Sequence, residues 1–94
     1  MSDLTIWKWP LLGTPEAATD HPTIDMPYGA TVLCVQTQGG RPCIWAEVDP
    51  AQPTESRTFV IVGTGQPIPD DAGPYIGTWQ SGPFVFHVFT GQGR

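Results

Sequence analysis

The sequence has very little positive charge. Lys8, Arg41, Arg57 and Arg94 are its only strong bases, against nine acids, and the formal net charge is −5 over 94 residues. A protein that binds DNA or RNA directly needs a basic stripe to displace counterions from the phosphate backbone, and four scattered bases cannot build one. Mimicry of nucleic acid is poorly served as well, because no acidic run is longer than Asp70-Asp71. Long apolar runs are also missing: nothing approaches the ~20 consecutive apolar residues of a membrane-spanning helix. The opening residues, MSDLTIWKWP, lack a basic region followed by an apolar stretch. They do not read as a secretion signal, and the cytoplasm is the expected compartment.

Cysteine and histidine are equally scarce, with two of each. Cys34 and Cys43 have no neighbouring His pair, and His21 and His87 lie far apart in the chain. That donor set is too small for a structural zinc site, so neither a metal nor a cofactor is expected. In a cytoplasmic chain the cysteines read as two buried thiols, with a cross-strand disulfide as the geometrically open alternative. Helical periodicity is absent from every window of eleven or more residues. The nearest approach is TPEAATD, where Thr14 can cap, Pro15 can start and Glu16 suits a first turn. Asp20 and Pro22 limit it to a single helical turn.

What the chain has instead is punctuation. Eleven Gly and eleven Pro are spread along its whole length, which marks many short elements separated by turns in one small domain. LTIWKWPLL alternates along its length, and PTIDMP is a short strand bounded by prolines, suited to a sheet edge. ATVLCVQTQ and RPCIWAEVD flank Gly39-Gly40, a pair suited to the positive φ angles of a tight hairpin. Strict alternation sets Val32, Cys34 and Gln36 on one face of the first strand and Leu33 and Val35 on the other. In the second strand Cys43, Trp45 and Glu47 oppose Ile44, Ala46 and Val48. RTFVIVG is a continuous apolar run, hence a central strand, and YIGTWQ and PFVFHVFT form a second hairpin about Ser81-Gly82. The last strand is apolar on both faces, with Phe84, Phe86 and Val88 on one side and Val85, His87 and Phe89 on the other. It must be central or covered by a second subunit. Six to seven strands with turns every eight to twelve residues predict an all-β antiparallel sandwich or small barrel built from consecutive hairpins.

IWKWP, IDMPYGATVLCVQTQGGRPCIWAEVDP, RTFVIVGTGQPIPD, YIGTWQ and FVFHVF together resemble a family of small proteins from tailed phages and prophages. The resemblance runs from Ile6 to Phe89, with a longer insertion around Gly13 to Pro22. It implies an accessory gene expressed in the cytoplasm of an infected bacterium. The family's function is unknown, so no catalytic residue carries over.

The stretch Gly63-Thr64-Gly65-Gln66 follows an apolar strand, as phosphate-binding turns do. A P-loop or dinucleotide fingerprint needs a helix to open there, and Pro67 and Pro69 prevent one. Bare N–H groups of Gly63, Thr64 and Gly65 remain as an anion nest. The competing reading is a tight exit from the sheet. Catalytic groupings are not apparent: His87 sits mid-strand among apolar residues, Glu47 and Asp49 lie at a strand end, and neither cysteine has a basic neighbour. A non-enzyme is expected. Binding remains, with Arg41 and Arg57 as phosphate clamps, Trp45 or Trp79 stacking on a base, and Gln66 contributing an amide. The expected function is capture of a nucleotide-type immune signal without cleavage, countering bacterial defence. The alternatives are a protein-binding inhibitor of a host defence enzyme or nuclease, and a virion accessory. A homo-oligomer, most simply a dimer, is expected from the free strand edges and the two-faced last strand.

Overall fold

The computed structural model describes residues 3–11 and 19–91. Strands β1 (Thr5–Pro10), β2 (Thr19–Asp20), β3 (Thr23–Pro27), β4 (Thr31–Gln38), β5 (Arg41–Val48), β6 (Thr54–Gly63), β7 (Ala72–Ser81) and β8 (Phe84–Gly91) account for all the regular structure among them. The helical turn anticipated over Thr14–Asp20 falls outside the described residues except for Thr19 and Asp20, which are extended.

The strands form two antiparallel sheets. One has the order β1-β5-β4, and the other runs β2-β6-β8-β7, with β3 also pairing β6. β2 and β3 lie in one continuous register along β6, from Thr19↔Val62 to Pro27↔Thr54, and together make a single interrupted edge. The sheets face each other as a sandwich, not a closed barrel. Phe59, Ile61, Phe86 and Val88 from the larger sheet meet Val35, Ile44, Ala46 and Val48 from the smaller one. Trp79 joins them from the inner face of β7, stacked on Phe86 at 5.3 Å between ring centroids.

Two connections are tight hairpins. Gly39 and Gly40, at φ +60° and +79°, join β4 to β5 between Gln38 and Arg41, the both-positive geometry that only Gly adopts freely. Gly82, at φ +58°, leads the turn between β7 and β8. The alternation expected for β4 breaks at Leu33, where a bulge shifts the register between Val32 and Cys34. One extra residue moves every later side chain to the other face. Val32 therefore faces inward opposite Ala46 and shares a face with Val35, opposite Ile44, instead of with Cys34.

The connection from β6 to β7 is of another kind. Both strands run antiparallel to β8, which lies between them, so β6 and β7 point the same way. Residues 64–71 must return along the length of the strands and step over β8. They do so across the outer face of the larger sheet, where Val60 and Val62 are buried although they point away from the core. β8 is thus central, one of the two placements its composition allows. The chain's own loop crosses its outer face and leaves an open groove over His87 and Phe89.

Arg57 lies on the core-facing side of β6 opposite Ile24. Its guanidinium donates to Ala30 O at 3.0 Å and lies 3.6 Å from the Glu55 carboxylate. Glu55 in turn accepts from Gly29 N–H at 3.2 Å. The pair fixes the Tyr28-Gly29 turn to the sheet. Arg57→Ala should therefore cost about 1–2 kcal/mol, since a half-buried carbonyl and carboxylate lose a charged donor. The expected fall in Tm is about 5–15 °C, read by thermal denaturation.

Candidate functional site

The crossover loop and the sheet beneath it enclose an open groove of about 290 Å³. Val62, His87 and Phe89 form its floor, Tyr75 one wall, and Gly63, Thr64, Gly65, Gln66 and Ile68 the other. The register explains the grouping. Val62 lies opposite His87, Phe89 opposite Tyr75, and Thr78 opposite His87, so all of these side chains share the outer face. The loop is tied down at both ends. Thr64 N–H and Oγ1–H both reach Val85 O, at 3.1 and 3.2 Å, and His21 Nε2 meets the Asp71 carboxylate at 3.2 Å. Gln66 N–H donates to Gly63 O at 3.0 Å, closing the turn in which Gly65 takes φ +90°.

His87 is the polar centre of the groove, and both its ring nitrogens are engaged. Nε2 lies 2.7 Å from Thr64 Oγ1. Nδ1 lies 3.0 Å from Thr78 Oγ1 and 3.1 Å from Tyr75 OH, and those two hydroxyls also contact each other. Thr64 has one hydroxyl proton. If it is donated to Val85 O, Oγ1 is left to accept from Nε2–H, so Nδ1 is an acceptor served by Thr78 or Tyr75. That assignment satisfies both Thr64 contacts, and the two hydroxyl protons of Tyr75 and Thr78 serve two of the three contacts among Tyr75 OH, Thr78 Oγ1 and Nδ1. A chain of hydrogen bonds runs from the exposed Tyr75 through the imidazole to Thr64 and holds the loop and Tyr75 against the sheet. Tyr75 also packs edge-on against Phe89 at 5.2 Å. Among the described residues no group of three or more His, Cys, Asp or Glu side chains gathers to hold a metal.

The residues singled out from sequence divide between this groove and four other places. Gly63, Thr64, Gly65 and Gln66 line the groove together. The anion nest imagined for them does not form as such: Thr64 N–H is turned into the sheet and Gln66 N–H closes its own turn. Successive N–H groups therefore do not converge on one point. Arg57 is engaged by Ala30 O and Glu55, six residues down β6 from Gly63, or about 20 Å along an extended strand. Arg41 ends the β4–β5 hairpin on the other sheet. Trp45 lies on the outer face of that sheet with the Lys8 ammonium 5.6 Å from its ring centroid, and Trp79 belongs to the core side of β7.

Ile68, Tyr75, His87 and Phe89 line the groove and Thr78 bonds His87 beside it, and sequence reasoning selected none of them as site residues. The alternation in PFVFHVF did place His87 and Phe89 on one face. Nothing local said that β7 would lie beside that face or that the loop would cross it.

Fold and groove together define the class: a small two-sheet β-sandwich with a single-loop crossover that roofs an uncharged, aromatic-walled groove. The chain belongs to the DUF7352 family, described as a domain of unknown function, whose model matches residues 2–94. No curated protein and no solved structure matches it.

Proposed function

We propose that this protein is a non-catalytic accessory protein of phage or prophage origin that acts in the host cytoplasm. On this reading it captures a nucleotide-type signal and holds it without cleaving it. The observation that carries the reading is the groove, where a polar imidazole–hydroxyl cluster is set between aromatic and aliphatic walls. Ligand pockets typically combine such walls with a few converging polar groups. A volume of about 290 Å³ is at the small end of the usual ~300–1,000 Å³, enough for one nucleoside-sized group. The groove supplies no Lys or Arg, and a chain of charge −5 repels polyphosphate. The ligand is therefore gripped by its base, stacked on one of the two mutually edge-on rings of Tyr75 and Phe89, with any phosphates left toward solvent.

Thermal-shift and calorimetric titration with nucleosides, nucleotides, cyclic di- and trinucleotides and ADP-ribose tests this. A base-containing ligand at 100 times its Kd should add about 2.7 kcal/mol of stability. For a domain of this size that raises Tm by about 10–20 °C. The nucleoside and its nucleotide should bind within about tenfold of each other, because no guanidinium distinguishes them. Tyr75→Ala should abolish the shift while leaving the fold intact, since Tyr75 is half exposed. Silence across the panel, with a host protein co-purifying, would replace this reading with that of a protein-binding inhibitor.

A further inference from the structure

Sheet edges invite pairing with another chain, and folded proteins normally blunt them. Here three of the four edges among the described residues are blunted. Along β2–β3, Pro27 has no N–H to turn outward, and the edge is interrupted between Asp20 and Thr23. β7 carries Pro74 and two register shifts between Ala72 and Gly77. β4 is bulged at Leu33 and lies against β7, so close that a Cβ on Gly77 would come within 2.8 Å of Val35 Cγ1. The exception is β1. Its pairing with β5 is regular from Thr5↔Val48 to Pro10↔Cys43, and no strand among the described residues pairs its other side.

The hydrogen-bond phase of β1 follows from one contact. Leu11 N–H donates to Pro42 O at 2.9 Å, continuing the same register. In an antiparallel ladder alternate residues turn both N–H and C=O to the partner. Trp9, Trp7 and Thr5 therefore bond to β5, while Ile6 and Lys8, with Leu4 just before the strand, turn theirs outward. The same stretch exposes apolar side chains: Leu4 is 57%, Ile6 59% and Trp7 42% accessible.

We propose that this edge is a self-complementary seam at which two copies pair β1 against β1, antiparallel about a two-fold axis at Ile6. The two three-stranded sheets then join into one of six strands. In this register Ile6 of each copy exchanges both hydrogen bonds with Ile6 of the other, and Leu4 does so with Lys8. Every outward group from Leu4 to Lys8 is used, and Pro10, which has no N–H to give, falls beyond the paired stretch. A seam centred on Lys8 would set two ammonium groups opposite each other. One centred on Trp7 would place Pro10 across from Leu4. Apolar matching favours a second copy as occupant: the register sets the exposed Leu4 and Ile6 side chains of both copies on one face of the joined sheet. The only charge within β1, on Lys8, is already turned toward Trp45 and Gln38 of its own chain, so it does not oppose the seam. A seam of about five residues per strand buries less than the ~1,200–2,000 Å² of a stable complex, so association is weak, with Kd about 10–100 µM.

Sedimentation of the full chain from about 1 to 500 µM spans that range and should carry the mass from monomer to dimer. Ile6→Pro should hold it at monomer with the thermal transition retained, because Ile6 N–H is not used in the β1–β5 ladder and proline is tolerated at such an edge. A cross-link provides a readout independent of that variant. With Cys34→Ser and Cys43→Ala, the change Ile6→Cys should give a covalent dimer on oxidation. Cα atoms of a mutually bonded pair lie ~5.5 Å apart, within disulfide range. Thr5→Cys in the same background should cross-link at least tenfold less. A monomer throughout the concentration range, a dimer that survives Ile6→Pro, or equal cross-linking from positions 5 and 6 would overturn the proposal.

Discussion

Deletion of Pro67, Ile68 and Pro69 is expected to abolish the cooperative thermal transition. Gly63 pairs with Phe86 and Ala72 with Gly91. The connection must therefore travel five residues along β8, about 17 Å, and two strand spacings sideways, about 9.6 Å. The straight path is about 20 Å. Nine Cα steps reach about 31 Å when extended, which leaves slack to arch over the side chains of β8. Six steps reach about 21 Å and leave none. The shortened loop would also uncover Val60 and Val62, each now under 6% accessible and each contributing about 1.5–3 kcal/mol by burial. A domain with roughly 5–15 kcal/mol in hand does not survive both losses. Circular dichroism during heating reads the outcome. A sharp, near-native transition in the deletion variant would show that the loop neither spans nor covers the sheet as described.

Phe59→Ala should be the most damaging single truncation. Phe59 is fully buried at the centre of the larger sheet, between β8 and the edge formed by β2 and β3. Its removal leaves a cavity the size of a ring between two sheets that cannot close over it. The expected cost is about 3–5 kcal/mol, or a fall in Tm of about 15–30 °C for a chain of this length. Denaturant titration should show a lower midpoint with an unchanged slope, since the surface exposed on unfolding is nearly the same. A loss under 1 kcal/mol would mean that the inner faces are not packed as a sandwich core.

These two expectations stand in different relation to the sequence. The burial of Phe59 was legible, because a run of four apolar residues, Phe59 to Val62, with no polar alternation has no solvent face to offer. The same local rules marked the hairpins, since Gly39-Gly40 and Gly82 stand where the backbone needs positive φ. They marked the proline-bounded edge at β3 and the two apolar faces of β8. The bulge at Leu33 was not legible. Nothing in TVLCVQ departs from a regular strand, and the extra residue is set by how β4 fits β5 and β7. Arg57 shows the limit for single side chains. Its chemistry suits a phosphate clamp, yet its place in the β6–β3 register turns it inward to Ala30 O and Glu55.

The sequence by itself determined the all-β class, the centres of the longer strands and the scarcity of cations, because propensity, alternation and composition act over a few residues at a time. β2 and the first residues of β6 and β7 were not marked. Only the tertiary structure decided what Gly63-Thr64-Gly65-Gln66 does. β8 inserts between β6 and β7, which makes those two strands co-directional, and a connection between co-directional strands must cross a sheet face. The glycine turn is where that crossing begins, and the groove is the space beneath it. Strand order arises from contacts between residues far apart in the chain, and no local pattern along the sequence encodes it.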